Sequence, residues 1–143
     1  MQSHSKASIW SIRPKPGTRR PLSILLVDDH DLGAQALAAA LSIDGHHVRV
    51  ALNGAEALDA LVLWTPEVAI LDVNMPTPDG FELARWIRDR PATSGIYIIA
   101  HTSMEERDVR QRGVAAGIDA FCRKGAGVTA MLDIVSVLQS ANR

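Results

Sequence analysis

Residues 68–80 read VAILDVNMPTPDG, which is an apolar run followed by a carboxylate and a loop with two prolines. The run Val68–Leu71 has the length of a strand, and its continuous apolar character is typical of a parallel strand buried on both faces. Asp72 follows that strand directly, while Asp79 is placed to cap a helix that has Glu82 at its third position. The stretch therefore predicts a strand, a loop and a helix, with an acidic side chain at the carboxyl end of the strand.

The sequence on both sides repeats this alternation of strand and helix. Apolar runs of strand length occur at residues 23–27, 48–51, 68–71, 96–100 and 119–123. Between these runs, apolar residues recur at helical spacing, as Ala34, Leu37 and Leu41 do after the first run. Five strands that alternate with five helices predict an α/β fold.

Short local signals predict where further helices begin and end. Asn53 precedes Glu56 by three residues, and Ser103 precedes Glu106 by three residues. Both pairs have the spacing of a capping box, so they predict the starts of the second and fourth helices. Gly117 is expected to end the fourth helix.

Length and composition favour a single folded domain. The chain has 143 residues, of which 47% are hydrophobic and 22% are charged, and that is enough to bury one sizeable core. Every apolar run is far shorter than the roughly 20 residues of a membrane helix, so no membrane span is expected. The single cysteine, Cys122, excludes an internal disulfide, and its apolar surroundings predict a buried, reduced thiol in a cytoplasmic protein.

The first 21 residues differ in composition from the rest of the chain. They contain five basic residues and no acid, so they carry a charge of +5 while the remainder carries −6. Residues 1–21 are therefore predicted to form a basic, disordered arm, and residues 22–141 to form the folded domain. A targeting peptide is an alternative for the arm. No base-reading motif accompanies its charge, so direct binding of nucleic acid is not expected.

Three carboxylates follow predicted strands. Asp28 and Asp29 come after the first strand, and Asp72 comes after the third. Ligands of doubly wound parallel sheets bind outside the carboxyl ends of the strands, and a strand order of 2-1-3-4-5 would place all three acids at one crevice. Carboxylates this close repel one another unless a cation joins them. Oxygen ligands with room for water suit Mg²⁺, so the sequence predicts a magnesium site.

Thr102 and Lys124 follow the fourth and fifth predicted strands. A hydroxyl and an ammonium group beside a carboxylate and a metal match the needs of phosphoryl transfer, which depends mainly on positioning and on neutralising the charge of the equatorial oxygens. Each residue also has an ordinary interpretation, because acids and threonines often cap helices and lysines are usually solvated. Their shared location at strand ends favours phosphoryl chemistry.

From about residue 22 to residue 139, the chain resembles the receiver domains of two-component response regulators. The acidic pair of that family corresponds to Asp28 and Asp29 in LLVDDH, and its phosphoacceptor corresponds to Asp72 in ILDVNMP. Its switch threonine corresponds to Thr102 in IIAHTS, and its lysine corresponds to Lys124 in AGIDAFCRKG. The last two residues lie 30 and 52 positions after Asp72, which are separations typical of the family.

This resemblance implies a flavodoxin-like, doubly wound sheet of five parallel strands in the order 2-1-3-4-5, with five helices. It implies that Asp72 takes phosphate from a phosphohistidine on a sensor histidine kinase or a histidine phosphotransfer protein. Mg²⁺ would be held by Asp28, Asp29, Asp72 and the backbone carbonyl of Asn74. Such a domain is no enzyme in the usual sense, because it catalyses only its own phosphorylation and dephosphorylation.

The resemblance also implies a switch and a set of partners. Thr102 and Lys124 would bind phosphoryl oxygens, and the movement of Thr102 would open space into which Phe121 turns. The altered face would act on a downstream protein target, and a homodimer through the fourth and fifth helices is a further expectation. No output domain is expected after residue 139, so the chain is interpreted as a stand-alone receiver or as part of a longer protein.

Departures from the family pattern leave alternatives open. Gly125 replaces the proline that usually follows the lysine, often with a cis bond, and a less firmly placed lysine would leave a degenerate receiver that serves as a phosphorylation-independent interaction module. A Mg²⁺-dependent phosphohydrolase would need a second aspartate at position 74, where this chain has Asn74. His30 and His101 lie near the predicted crevice and are candidate ligands for a transition metal.

Overall fold

The computed structural model describes residues 6–11, 13 and 20–139. These residues form six strands, β1 (Ala7–Ile9), β2 (Ser23–Val27), β3 (His47–Ala51), β4 (Val68–Leu71), β5 (Tyr97–Thr102) and β6 (Ala120–Arg123). They also form five helices, α1 (Asp31–Ile43), α2 (Gly54–Leu63), α3 (Gly80–Asp89), α4 (Glu106–Ala116) and α5 (Val128–Gln139). None of these helices has the length and apolar character needed to cross a bilayer.

Five of the strands form a parallel sheet in the order β3-β2-β4-β5-β6, which is the predicted order 2-1-3-4-5. The doubly wound fold and its five helices are therefore confirmed. Its strands are apolar because both faces of the sheet are covered: Leu25, Leu26 and Ile70 have no exposed surface. One face packs against α2, α3 and α4, and the other packs against α1 and α5.

The sixth strand corrects two predictions. β1 pairs antiparallel with β6 at the edge of the sheet, so the expectation of five strands is wrong by one. The expectation of a disordered arm is wrong for residues 7–9, which form this strand, while residues 1–5, 12 and 14–19 lie outside the described residues. A strand of three residues is too short for a recognisable alternation of apolar and polar side chains, and its partner lies more than 100 positions away, so no local signal predicts it.

The predicted helix starts are confirmed in two cases and wrong in one. The Asn53 side chain accepts a hydrogen bond from the Glu56 N–H (2.8 Å), and a complete capping box begins α3. The predicted capping box of Ser103 is absent, because α4 begins at Glu106 with Glu105 as its N-cap and no side-chain cap bond. The Glu106 carboxylate is instead engaged by side chains of the N-terminal segment. Gly117 ends α4 as predicted, with a φ of 90°.

Two further expectations concern Cys122 and the loop after Lys124. Cys122 is a buried, free thiol on β6, and burial raises its pKa to about 11. Among the described residues, the single cis peptide bond joins Thr77 and Pro78, so the bond between Lys124 and Gly125 is trans. Gly125 has a φ of 85°, a conformation that a proline in its place could not adopt.

Candidate functional site

The carboxyl ends of β2 and β4 bring three carboxylates together. The two strands are paired in register with Val27 opposite Leu71, so Asp28 and Asp72 leave the sheet side by side. Ligand oxygens of Asp28, Asp29 and Asp72 lie within 4.8 Å of one another. Asp28 and Asp72 are buried and Asp29 is exposed, so the cluster opens to solvent on one side.

Lys124 lies between the two buried carboxylates. Its Nζ is 2.9 Å from Asp28 Oδ2 and 2.9 Å from Asp72 Oδ2. Its backbone N–H donates to the carbonyl of Thr102 (2.8 Å), which fixes the start of the loop after β6 beside the end of β5. Because one ammonium group contacts both oxygens, it offsets part of the repulsion between the two acids.

The pKa values of Asp72 and Lys124 reflect both their burial and the charges around them. Burial raises the pKa of Asp72, although the Asn74 N–H and the Lys124 ammonium act in the opposite direction. Burial alone would lower the pKa of Lys124, but its hydrogen bonds to Asp28 and Asp72 outweigh burial, and the pKa is raised. Lys124 therefore remains an ammonium ion at neutral pH.

Backbone amides orient both carboxylates. Asp28 Oδ1 accepts from the His30 N–H (2.9 Å), and Asp72 Oδ1 accepts from the Asn74 N–H (2.9 Å). In each aspartate, this hydrogen bond leaves the second carboxylate oxygen, Oδ2, in contact with Lys124. The Asn74 N–H therefore holds one oxygen of Asp72, while the part of the Asn74 carbonyl in a metal site stays a prediction.

Thr102 and Phe121 lie near this edge of the sheet but differ in their contacts. Thr102 ends β5, is fully buried, and its hydroxyl oxygen accepts from the Met104 N–H (3.2 Å). Phe121 is fully buried on β6, opposite Ala100, and its ring stacks against Trp10 with 5.8 Å between centroids. The contact with Trp10 was not predicted, because nothing in the sequence pattern connects these two positions.

The two histidines do not join the acidic cluster in the part of the chain that the structure describes. The acidic trio is the one group of candidate metal ligands found there, so a site built on His30 and His101 is not supported. Both histidines instead line a cavity of about 330 Å³ beside Asp28 and Lys124. His101 Nδ1 is buried without a hydrogen-bond partner, and burial, with a smaller effect from the Lys124 charge, lowers the pKa of His101 to about 4.

The structure is a doubly wound α/β protein with acids, a threonine and a lysine at the carboxyl ends of its parallel strands, the region where sheets of this class bind ligands. The family model of the response regulator receiver domain matches residues 24–136. The chain belongs to this family of signalling domains, as the sequence resemblance predicted.

Curated relatives agree with this assignment over part of their length. The gliding motility regulatory protein of Myxococcus xanthus is 36% identical over 115 residues, which are 78% of this chain and 15% of that protein. The response regulator PleD of Caulobacter vibrioides is 34% identical over 101 residues, which are 71% of this chain and 22% of that protein. The chain thus spans less than a quarter of either relative.

Solved structures show the same fold. The chemotaxis protein CheY4 of Vibrio cholerae matches with a TM-score of 0.78 at 27% identity, over 82% of this chain and 98% of that chain. The receiver domain of a DNA-binding response regulator from Colwellia psychrerythraea matches with a TM-score of 0.76 at 30% identity, over 84% of this chain and 99% of that chain. Both matches extend over nearly the whole of the solved chain.

Proposed function

We propose that this domain is the phosphoryl acceptor of a two-component or phosphorelay system and that Asp72 is the acceptor residue. The observation that carries the proposal is the position of Lys124, whose ammonium group lies 2.9 Å from Asp72 Oδ2 and 2.9 Å from Asp28 Oδ2 at the edge of the sheet where ligands bind. The donor would be a phosphohistidine on a sensor histidine kinase or a histidine phosphotransfer protein.

The reaction requires a carboxylate nucleophile and charge neutralisation. A carboxylate oxygen of Asp72 attacks phosphorus, the bond between phosphorus and the imidazole nitrogen of the donor breaks, and the imidazole leaves. The Asn74 N–H holds one Asp72 oxygen in place, which keeps the orientation of the carboxylate fixed during the attack. Lys124 lies within contact distance of the acceptor oxygen and neutralises negative charge on the incoming phosphoryl group.

The acidic cluster fits Mg²⁺ by the chemistry of its donors. Asp28, Asp29 and Asp72 offer oxygen ligands alone, with one exposed side on which water and phosphoryl oxygens could supply further ligands to Mg²⁺. The Asn74 carbonyl is the fourth protein ligand of the proposal. When bound, Mg²⁺ would neutralise charge on the phosphoryl oxygens, while the three aspartates hold it beside Asp72.

Thr102 and Phe121 are proposed to connect the site with the rest of the domain. The Thr102 hydroxyl oxygen accepts from Met104, so its own proton is available to donate to a phosphoryl oxygen. Reorientation of Thr102 would disturb the packing around Phe121, which is buried on the neighbouring strand. The resulting change of surface would be recognised by a downstream protein, with a homodimer as one form of output.

Intact mass after incubation with acetyl phosphate and Mg²⁺ tests the proposal. We expect one phosphoryl adduct on the parent and none on Asp72→Asn, which removes the nucleophile with almost no change of shape. Asp59→Asn, an exposed change on α2, is the matched control and should behave like the parent. No adduct on the parent, either from acetyl phosphate or from a panel of phosphorylated histidine kinases, would instead favour the phosphorylation-independent interaction module.

A further inference from the structure

The segment before the domain lies along the outer edge of β6. β1 pairs with β6 through Ala7 opposite Cys122, Ser8 opposite Phe121 and Ile9 opposite Ala120. The Arg123 N–H donates to the Lys6 carbonyl (2.8 Å), which extends the pairing to the end of β6. These bonds satisfy backbone groups that β6 would otherwise present at the edge of the sheet. We call residues 6–11 together with Arg13 the strap.

Side chains of the strap reach from β6 to the start of α4. The Trp10 ring stacks on Phe121 at an interplanar angle of 18°, and its Nε1–H donates to Glu106 (2.8 Å). The Ser8 hydroxyl donates to the other oxygen of the same carboxylate (2.9 Å). A Cβ on Gly113 would lie 2.6 Å from Trp10 Cζ3, so the absence of a side chain at this position of α4 makes room for the indole.

The C-terminal end of the strap is held by a buried carboxylate, that of Asp119. Asp119 Oδ1 lies 2.8 Å from Arg13 Nε and accepts from the Ser11 hydroxyl (2.7 Å). Asp119 is fully buried and also pairs with Arg88 (2.7 Å). The strap is thus held by backbone pairing, by an aromatic stack and by an ion pair, which is a larger set of contacts than a solvated tail would make.

Two of the strap contacts lie next to residues of the proposed phosphoryl site. Arg123, which pairs with Lys6, immediately precedes Lys124 and lies opposite Thr102 in the sheet. Glu106, which binds Ser8 and Trp10, follows Thr102 by four positions. A shift of Thr102 or Lys124 toward a bound phosphoryl group would therefore act close to two of the strap's contacts.

We propose that the strap is a resident occupant of the surface formed by the edge of β6, Phe121 and the start of α4, and that it covers this surface against other partners. The strap binds this surface most tightly while Asp72 is unphosphorylated, and phosphorylation loosens it. This inference rests on the proposed function. Because coupling between two sites is reciprocal, a strap that is weakened by phosphorylation must itself oppose phosphorylation by the same factor.

The test compares the parent chain of 143 residues with Trp10→Ala and Trp64→Ala. Trp64 is a matched control because its ring lies 4.9 Å from the Arg49 guanidinium on β3, the strand at the opposite edge of the sheet. Beryllofluoride with Mg²⁺ serves as the phosphoryl analogue. The two measurements are amide hydrogen exchange in β1 and β6, and the beryllofluoride concentration at half-saturation.

We expect bound beryllofluoride to accelerate exchange of the β1 amides in the parent by about 5-fold or more. We expect Trp10→Ala to lower the half-saturating concentration by a similar factor relative to Trp64→Ala. Arg13→Ala removes the ion pair with Asp119, so it should also accelerate exchange of the β1 amides and lower the half-saturating concentration of beryllofluoride. This variant replaces Trp10→Ala if Trp10→Ala does not fold.

Two results would overturn the inference and are distinguishable from each other. Equal half-saturation in the strap and control variants, with β1 exchange unchanged by bound analogue, would refute the coupling and leave phosphorylation of Asp72 intact. A parent that binds no beryllofluoride and forms no adduct at Asp72 would refute the proposed function together with the coupling.

Discussion

Acid sensitivity of the fold follows from His101, which lies beside the proposed site and is neutral in the folded protein. Burial lowers the pKa of this imidazole to about 4 from its ordinary value of 6.5. The folded state therefore takes up this proton less readily than the unfolded chain does. The stabilising contribution is complete above the unfolded pKa and is lost as the pH falls from about 6.5 toward 4.

The size of the effect follows from the two pKa values. A pKa shift of this magnitude contributes about 3 kcal/mol to the free energy of unfolding in total, of which about 2 kcal/mol is lost between pH 7 and pH 5. His101→Phe keeps an aromatic ring of similar size in the cavity and cannot take up a proton. The variant should therefore lose about 2 kcal/mol less than the parent between these pH values.

Urea unfolding at the two pH values, followed by far-ultraviolet circular dichroism, measures the difference directly. Other titrating groups, such as His46, whose pKa burial also lowers, contribute equally to the parent and the variant and cancel in the comparison. His47→Phe, a change at an exposed histidine of β3, is the control; because the His47 charge helps to lower the pKa of His46, this variant should differ from the parent only by that smaller effect. Equal losses in the parent and His101→Phe would refute the reasoning.

Three further predictions concern the buried ion pair, the strap and the proposed site. Asp119→Ala leaves the Arg88 guanidinium without its buried partner and should lower the free energy of unfolding by about 3 kcal/mol or more, measured by urea titration. Gly113→Ala places a methyl group at the Trp10 ring and should displace the strap, so that hydrogen exchange of the β1 amides accelerates by about 10-fold. Lys124→Met should slow formation of the phosphoryl adduct by about 100-fold in a mass-spectrometric time course.

Each of these variants has a control of the same kind. Asp89→Ala removes an exposed carboxylate at the end of α3. If it lowered the free energy of unfolding as much as Asp119→Ala does, the role of the buried pair would be contradicted. Gly95→Ala adds a methyl group where no atom lies within 4 Å, so it should leave β1 exchange unchanged. Lys6→Met removes an ammonium group at the strap, and an equal slowing of phosphorylation in this variant would show that general charge, not contact with Asp72, is responsible.

The parallel sheet and the acidic cluster were predictable because their signals are local. Each central strand is buried on both faces, so the chain marks it with a continuous apolar run, and Asp28 and Asp72 directly follow two of these runs. Once those strands are neighbours, the carboxylates must meet. Asn53 was predicted correctly for the same reason, since the N–H that it caps lies only three residues away.

The strap was not predictable because its energetics depend on distant partners. Trp10 and Ser8 bind Glu106 across 96 and 98 positions, and these bonds replace the capping box that the sequence near Ser103 predicted. His101 illustrates the same limit, because its low pKa results from burial and from the charge of Lys124, neither of which the neighbouring residues reveal.

Because β1 pairs with the edge of β6, it also affects whether this side of the sheet can pair with strands of other copies of the chain. An exposed edge strand is a template for strand addition and hence for aggregation, and natural sheets are protected by very short edge strands. β1 has three residues, whereas β6, the strand with which it pairs, contains three buried apolar residues, Ala120, Phe121 and Cys122. We therefore expect that release of β1 would expose the edge of β6 and increase the tendency of the protein to self-associate.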